Sequence, residues 1–251
     1  MPALATANTV PGMLIYLFTA ALFTLIFTRE VIAPASGASC DKRWRILAGS
    51  LNLANLGVVL AAGWLFSGWI AQYALLPMPD ALPVLVQSLI IFLAASGLAY
   101  GWHRLTHASN ALWRCVHQLH HSPSRIEALT AFYVHPLDSF LATLLNALVA
   151  YGVFGASPLT AALVLGYVSL FNLVAHADQR TPWWLGFILQ RPEMHRLHHE
   201  RHSHRSNYGL PLWDLIFGTW RNPREGTIEC GFPPDREFKV HDMLLMRDVE
   251  G

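Results

Sequence analysis

The stretch HRLHHERHSHRSNYG, residues 195–209, holds five histidines in its first ten residues and no apolar run to bury them. The chain around it has the opposite character. Of its 251 residues 53% are hydrophobic and only 13% charged, with a mean hydropathy of +0.35, too apolar for an ordinary water-soluble domain of this length. Why so greasy a chain concentrates imidazoles is therefore the question that decides the fold. Charge narrows the answer. The net charge is +1 with no long basic tract, so nothing points to nucleic acid as a partner. Cys40, Cys115 and Cys230 lie far apart with no CxxC pair, which indicates neither a disulfide framework nor a thiolate zinc site.

Upstream of the quoted stretch, four or five apolar segments are long enough to cross a hydrocarbon core, which takes about 20 residues. They fall near residues 10–27, 46–70, 84–102, 140–154 and 159–175, and none contains Asp, Glu, Lys or Arg. The last two are short and are separated by the turn GASP, so a hairpin that stops short of a full crossing is also open. The N-terminus lacks a positive n-region and a small-residue cleavage site, and the first run is read as a retained anchor. Alternating the five spans puts all 17 Lys and Arg on one side of the membrane. The positive-inside rule makes that side cytoplasmic. All 13 histidines fall on it or at its interface. The expected fold is an all-helical multi-pass integral membrane protein, two hairpins of spans carrying a cytosolic histidine-rich cap around two metals. Residues 1–83 are expected to be N-terminal spans, 84–222 a catalytic core, and 223–251 a polar tail that is a small cap or partly loose. The two halves are weakly similar, each an apolar hairpin followed by a histidine-rich segment.

The histidines come in clusters: HRLTH (His103, His107), HQLHH (His117, His120, His121) and HRLHH (His195, His198, His199). Spacings of three and four put the members of a cluster on one helix face, so each can aim its rings at one spot. Imidazole is the commonest protein metal ligand, and eight exceed the needs of one ion, which makes two ions the natural count. Simple solvated side chains are the better reading for His202, His204 and His241. A haem would use one or two axial histidines and leave the repeated triplets idle. The zincin pattern HExxH is not met, because Arg or Gln follows the first histidine.

The order HxxxH, HxxHH, apolar hairpin, single histidine, HxxHH, then NYG and WDLIFGTW resembles the fatty acid hydroxylase and sterol desaturase superfamily of membrane di-iron enzymes, over roughly residues 85–222. The resemblance implies that His103, His107, His117, His120, His121, His195, His198 and His199 are metal ligands, and that His176, in VAHADQR, joins them. His135, before Pro136 and Asp138, is a tenth candidate ligand or a group that supports one from behind, or else an N-terminal helix position with Asp138 as the cap. Asp138, Asp178 and Asp214 are candidates to accept hydrogen bonds from ligating rings, or else caps and surface charges. Asn207, Tyr208 and Gly209 are expected to form a turn ending the last cluster, with Trp213 and Trp220 in the interfacial aromatic belt. The first two spans and the tail show no match to the family pattern.

The implied chemistry is the O2-dependent hydroxylation or desaturation of a lipid C–H bond, on a sterol, fatty acyl chain, ether lipid or carotenoid. The cofactors are two iron ions, with zinc suited to the same ligands. Two electrons are needed per turnover, and the chain carries no GxGxxG, CxxCH or iron–sulfur spacing. The electrons are therefore expected from NAD(P)H through a separate donor, a ferredoxin, cytochrome or flavoprotein reductase. A non-catalytic zinc or iron protein for transport or sensing is the alternative, and a bis-histidine haem protein a third reading. Transport would place ligands near the bilayer midplane, whereas these stand at span ends.

Overall fold

The structure is a computed structural model; it describes residues 10–37, 41–201, 203–224 and 228–249. Cys40, His202 and the extreme N-terminus bearing on the signal-peptide reading lie outside these residues. Long helices dominate: α1 (Val10–Ile32), α2 (Lys42–Ile70) and α3 (Val84–Ala108) come first. Short α4 (Asn110–Leu112) and α5 (Gln118–His121) are joined by a π-helical turn, Trp113–His117. Then come α6 (Pro136–Ala147), extended by a second π-helical turn, Leu148–Val153, and α7 (Pro158–His176). Four short helices complete the chain: α8 (Pro192–His198), α9 (Pro211–Phe217), α10 (Pro234–Glu237) and α11 (Val240–Leu244). There is no strand among the described residues, only an isolated bridge between Glu200 and Cys230.

Five helical stretches are long and apolar enough to cross a membrane, the upper of the expected counts. The fourth and fifth, Pro136–Val153 and Pro158–His176, have 18 and 19 residues. At 1.5 Å per residue they reach about 27–28 Å, close to a hydrocarbon thickness, and the π-helical turn gives the fourth its length. The outer faces are lipid-facing in character: Leu53 and Trp64 of α2 are 71% and 66% exposed. The chain is a multi-pass membrane protein. Starts are set by local chemistry. Asp41 caps α2 by accepting the Trp44 N–H at 2.6 Å, Ser157 caps α7 through the Thr160 N–H, and Pro occupies the first turn of α6, α7, α8 and α9, where its missing N–H is of no consequence.

α2 packs on α6, and α1 and α3 both pack on α7, so the N-terminal spans are not an appendage. Their basic ends grip the loop after the second histidine cluster. Glu30, fully buried, accepts the N–H groups of Ala128 (3.0 Å) and Asp178 (2.7 Å). Trp44 donates its indole N–H to Glu127. Asn55 donates to the carbonyls of Phe132 and Val134 at 3.1 and 2.9 Å, and Asn52 to that of Leu129. Glu30 lies past the apolar run 10–27, which is why its role inside the helix had no signal in hydropathy.

The tail is a packed cap. Phe232 and Met243 join Trp44, Leu119 and Tyr133 in one core, the Phe232 N–H reaches the Ser122 carbonyl at 3.0 Å, and Gln118 donates to the Arg247 carbonyl at 2.7 Å. Gly231 is required there: its φ is +73°, and a Cβ would fall onto the backbone of Pro123.

Two outcomes follow. Glu30→Ala strands two buried N–H donors, and at about 1–3 kcal/mol each the loss is about 2–6 kcal/mol, read as an earlier thermal unfolding of the detergent-solubilised chain. Gly231→Ala is expected to destabilise more than Gly218→Ala, because Gly218 shares the left-handed φ but has open space around it.

Candidate metal centre

Each histidine cluster owes its direction to a helix end. His103 and His107 occupy the last turns of α3, His176 the last residue of α7, and the two HxxHH triplets lie on the Trp113–His117 turn with α5 and on α8 running into His199. These ends meet. His103, His107, His117, His121 and His198 place ring nitrogens within 4.8 Å of one another, and so do His120, His176, His195 and His199.

The grouping departs from the expectation that a cluster aims at one spot. Each triplet is shared. His117 and His121, four apart, serve the first group while His120 serves the second; His195 and His199 serve the second while His198 serves the first. One helical turn with two adjacent imidazoles must split them, since neighbours on a helix point about 100° apart. The two triplets thus exchange one ring each, which ties the groups together: His121 and His199 stack with centroids 4.1 Å apart. The π-helical turn before His117 sets the phase of the first triplet, a common use of such a turn at functional sites.

Several rings are oriented from behind by backbone carbonyls. Nδ1 of His103 pairs with the Tyr208 carbonyl at 2.6 Å, that of His198 with Ser206 at 2.7 Å, that of His176 with Asn172 at 2.8 Å and that of His120 with Tyr133 at 3.3 Å. A carbonyl only accepts, so each Nδ1 carries the proton and each Nε2 presents a lone pair. Those lone pairs face one another: His103 and His198 Nε2 stand 3.0 Å apart, and His120 and His176 Nε2 3.3 Å. Two lone pairs cannot hydrogen-bond. Nitrogens on one cation with bonds of about 2.0–2.1 Å stand about 3 Å apart, so the separations suit a shared ion. His107 Nε2 and both nitrogens of His117 and His121 are buried without a hydrogen-bond partner among the described residues, a costly state for polar groups that coordination would relieve at one nitrogen of each ring. By this test the residues fit a pair of metal ions in an all-nitrogen setting.

Burial also sets protonation. His117, His120, His121, His195, His198 and His199 are all driven well below the usual imidazole range, first by desolvation and then by neighbouring rings. They are neutral imidazoles at neutral pH.

The carboxylates do not contact the rings. Asp138 accepts the Trp102 indole N–H at 3.1 Å; Asp178 pairs with Arg196 and Ser36; Asp214 accepts the N–H groups of Tyr208 and Gly209 and the Thr219 hydroxyl. Of the three, Asp214 bears on the centre through the loop that carries the Tyr208 carbonyl. The expected ring acceptors are thus backbone atoms, which no side-chain pattern reveals. His135 stands outside both groups at the start of α6, where it is itself the cap in place of Asp138: its Nδ1 accepts the Leu137 N–H at 3.1 Å and its Nε2 reaches the Leu244 carbonyl at 3.2 Å. Asn207, at φ 57°, makes the expected turn, and its side chain ties that turn to α8 by donating to the Met194 carbonyl. His204, expected in solvent, instead stacks on Trp113 at 5.2 Å and lies 4.6 Å from the His121 ring. His241 is exposed. Trp213 of α9 packs against α3, donating to the Ser96 hydroxyl, and Trp220 donates to the Gly186 carbonyl.

Comparison with known proteins agrees with this geometry. Residues 88–219 match the fatty acid hydroxylase family. The chain is 35% identical over 161 residues to the ornithine lipid hydroxylase OlsE of Rhizobium tropici, covering 61% of this chain and 47% of that one. It is 27% identical over 146 residues to the sphingolipid C4-hydroxylase sur2 of Schizosaccharomyces pombe, covering 56% and 50%. It is 26% identical over 145 residues to the very-long-chain aldehyde decarbonylase GL1-9 of Oryza sativa, covering 55% and 56%. The chain thus spans about half the length of these curated relatives. No solved structure matches it. With a family match over more than half of its length and nine histidines of that segment gathered in two adjoining groups, the chain belongs to the fatty acid hydroxylase family.

Proposed function

We propose that the chain is an O2-dependent membrane oxygenase that hydroxylates a C–H bond of a lipid, with His103, His107, His117, His121 and His198 holding one iron and His120, His176, His195 and His199 the other. The observation that carries this reading is the pair of adjoining imidazole groups whose lone pairs face each other. When bound, such a pair of redox-active ions supplies O2 activation and the removal of hydrogen from an unactivated carbon, chemistry beyond any side chain. The chain's own part is to hold neutral rings in place: carbonyls of Tyr208, Ser206, Asn172 and Tyr133 keep the protons on Nδ1, and burial keeps bulk water from most of the rings. His103, His107 and His176 sit on spans α3 and α7, so a substrate carbon reaches the centre laterally from lipid.

The relatives named for ornithine lipid and sphingolipid hydroxylation favour hydroxylation over desaturation, and a polar-headed acyl lipid over a carotenoid. The overall reaction takes up O2, two electrons and two protons and releases the hydroxylated lipid and water. A separate ferredoxin, cytochrome or flavoprotein reductase drawing on NAD(P)H supplies the electrons at the basic face, which we place in the cytoplasm. Residues 84–222 form the catalytic core, with the spans of 1–83 and the tail of 223–251 closing it.

Lipid mass spectrometry of membranes from cells with and without the gene is expected to reveal species carrying one added oxygen atom; loss of two hydrogens instead would make the enzyme a desaturase, and no lipid change with a donor present would favour the non-catalytic metal protein. The purified chain is expected to carry two metal ions. His120→Ala and His198→Ala each empty a different group, so elemental analysis should find about one ion per chain in either variant, with no product. A His120→Ala chain with full metal and full turnover would refute the ligand assignment. Chelation of the metal should lower the unfolding temperature of the intact protein, because facing lone pairs lose their shared cation.

A further inference from the structure

The five spans do not account for all of the outward apolar surface. In two short segments beyond them, Trp184 and Ile188 are 59% and 62% exposed, and on α9 Leu212, Leu215, Ile216 and Phe217 are 45–60% exposed. In water this would be a costly patch. The two segments form one platform: Trp220 donates to the Gly186 carbonyl at 3.0 Å, and the Phe187 and Trp220 rings lie 5.1 Å apart.

Its depth can be read from what it touches on α3. The Tyr208 carbonyl stands at His103, but α9 lies further along the helix. Phe217 stacks on Tyr100 with centroids 5.2 Å apart, and Trp213 covers Gly97 and donates to the Ser96 hydroxyl at 2.9 Å. Those positions are three to seven residues inward from His103, or about 5–10 Å along the helix axis. Residues 84–102 of α3 contain no charged side chain, and Arg104 is the first. α9 therefore lies at the level of the uncharged part of a span. Its backbone is prepared for that level, where unpaired polar groups are excluded. The N–H groups of Thr219 and Trp220 both return to the Asp214 carbonyl, at 2.8 and 3.1 Å, and the buried Asp214 carboxylate takes those of Tyr208 and Gly209. Arg224 lies over the Trp183 ring at 4.6 Å, and exposed Arg221 stands next to Trp220, an arrangement suited to aromatic rings at the headgroup level and cations at lipid phosphate.

We infer that α9 and the 183–188 turn form an in-plane anchor embedded in the leaflet on the histidine side, with the acyl chains of bilayer lipid as the occupant of their apolar face. The histidine groups then sit at the bilayer surface, held down beside α3 rather than raised on a cap in water. The inference is independent of the reaction proposed above.

The test uses the full unmodified chain in proteoliposomes, with two photolabels compared by peptide mass spectrometry: a phosphatidylcholine carrying a diazirine midway along its acyl chain, and a water-soluble diazirine. Lipid-borne label on residues 184–188 and 212–217, at a level like that on the exposed face of α3 around Leu89 and Leu93 and with little water-borne label, is the expected result. Water-borne label there at the level found on residues 236–247 would overturn the inference, as would equal labelling by both reagents. Labelling by neither would also overturn it, since the face would then be covered by a second copy or another protein.

Discussion

Nine imidazoles are brought together in a space that is nearly dry, and at least four of them have their lone pairs turned toward each other. In an apolar interior such an arrangement is unfavourable on its own: the rings are desolvated, cannot be protonated without further cost, and lack donors to face. It is tolerable where a cation accepts all of the lone pairs at once. The rest of the architecture serves this constraint, because rings this crowded stay in place only if every helix end that carries one is held from behind.

The holding is done mostly by the main chain. Carbonyls of Tyr208, Ser206, Asn172 and Tyr133 orient four rings, and the segments that carry Ser206, Tyr208 and Tyr133 are held in turn. Asp214 secures the turn at Tyr208 by taking two of its N–H groups, and Asn207 fastens the same turn to α8. The Tyr133 carbonyl lies in a loop whose neighbours are gripped by Asn52 and Asn55 of α2 and by Glu30 of α1. Spans without a histidine thus contribute to the centre through the loop between α5 and α6. The tail does the same from the other side, where Phe232 and Met243 pack against Leu119 and Tyr133.

Much of this was legible in the amino-acid order. The apolar runs marked four or five spans because hydropathy depends only on local composition, and boundaries shifted mainly where a helix continued past its apolar part: α1 through Arg29 and Glu30, and α3 through His103 to Ala108. Eight of the nine histidines were legible because spacing of three and four is a local helical signal; His176 stands alone in VAHADQR and was reached only through the resemblance to the family pattern. His204, read from the sequence as solvated, is half-buried beside Trp113 and His121, contacts for which the sequence carries no periodic signal. The three aspartates were legible as polar residues near the clusters, but their partners were not; each is bound by an indole, an arginine or a backbone turn that is distant in the chain or lacks a side-chain signature.

What the order of residues determined by itself was the class: a chain with long uncharged runs must place them in lipid, and imidazoles at helical spacing must gather on helix faces. What only the tertiary structure decided was which imidazoles belong together. Adjacent rings on one turn point in different directions, so a triplet cannot serve a single ion, and the division of His117, His120 and His121 between two groups depends on where α7, α8 and the end of α3 arrive. The neighbours of WDLIFGTW were likewise decided by packing: the sequence offers Trp213 and Trp220 only as residues of an interfacial aromatic belt, whereas the fold sets Trp213 over Gly97 and stacks Phe217 on Tyr100 of a span, because contacts between distant segments leave no trace in local composition.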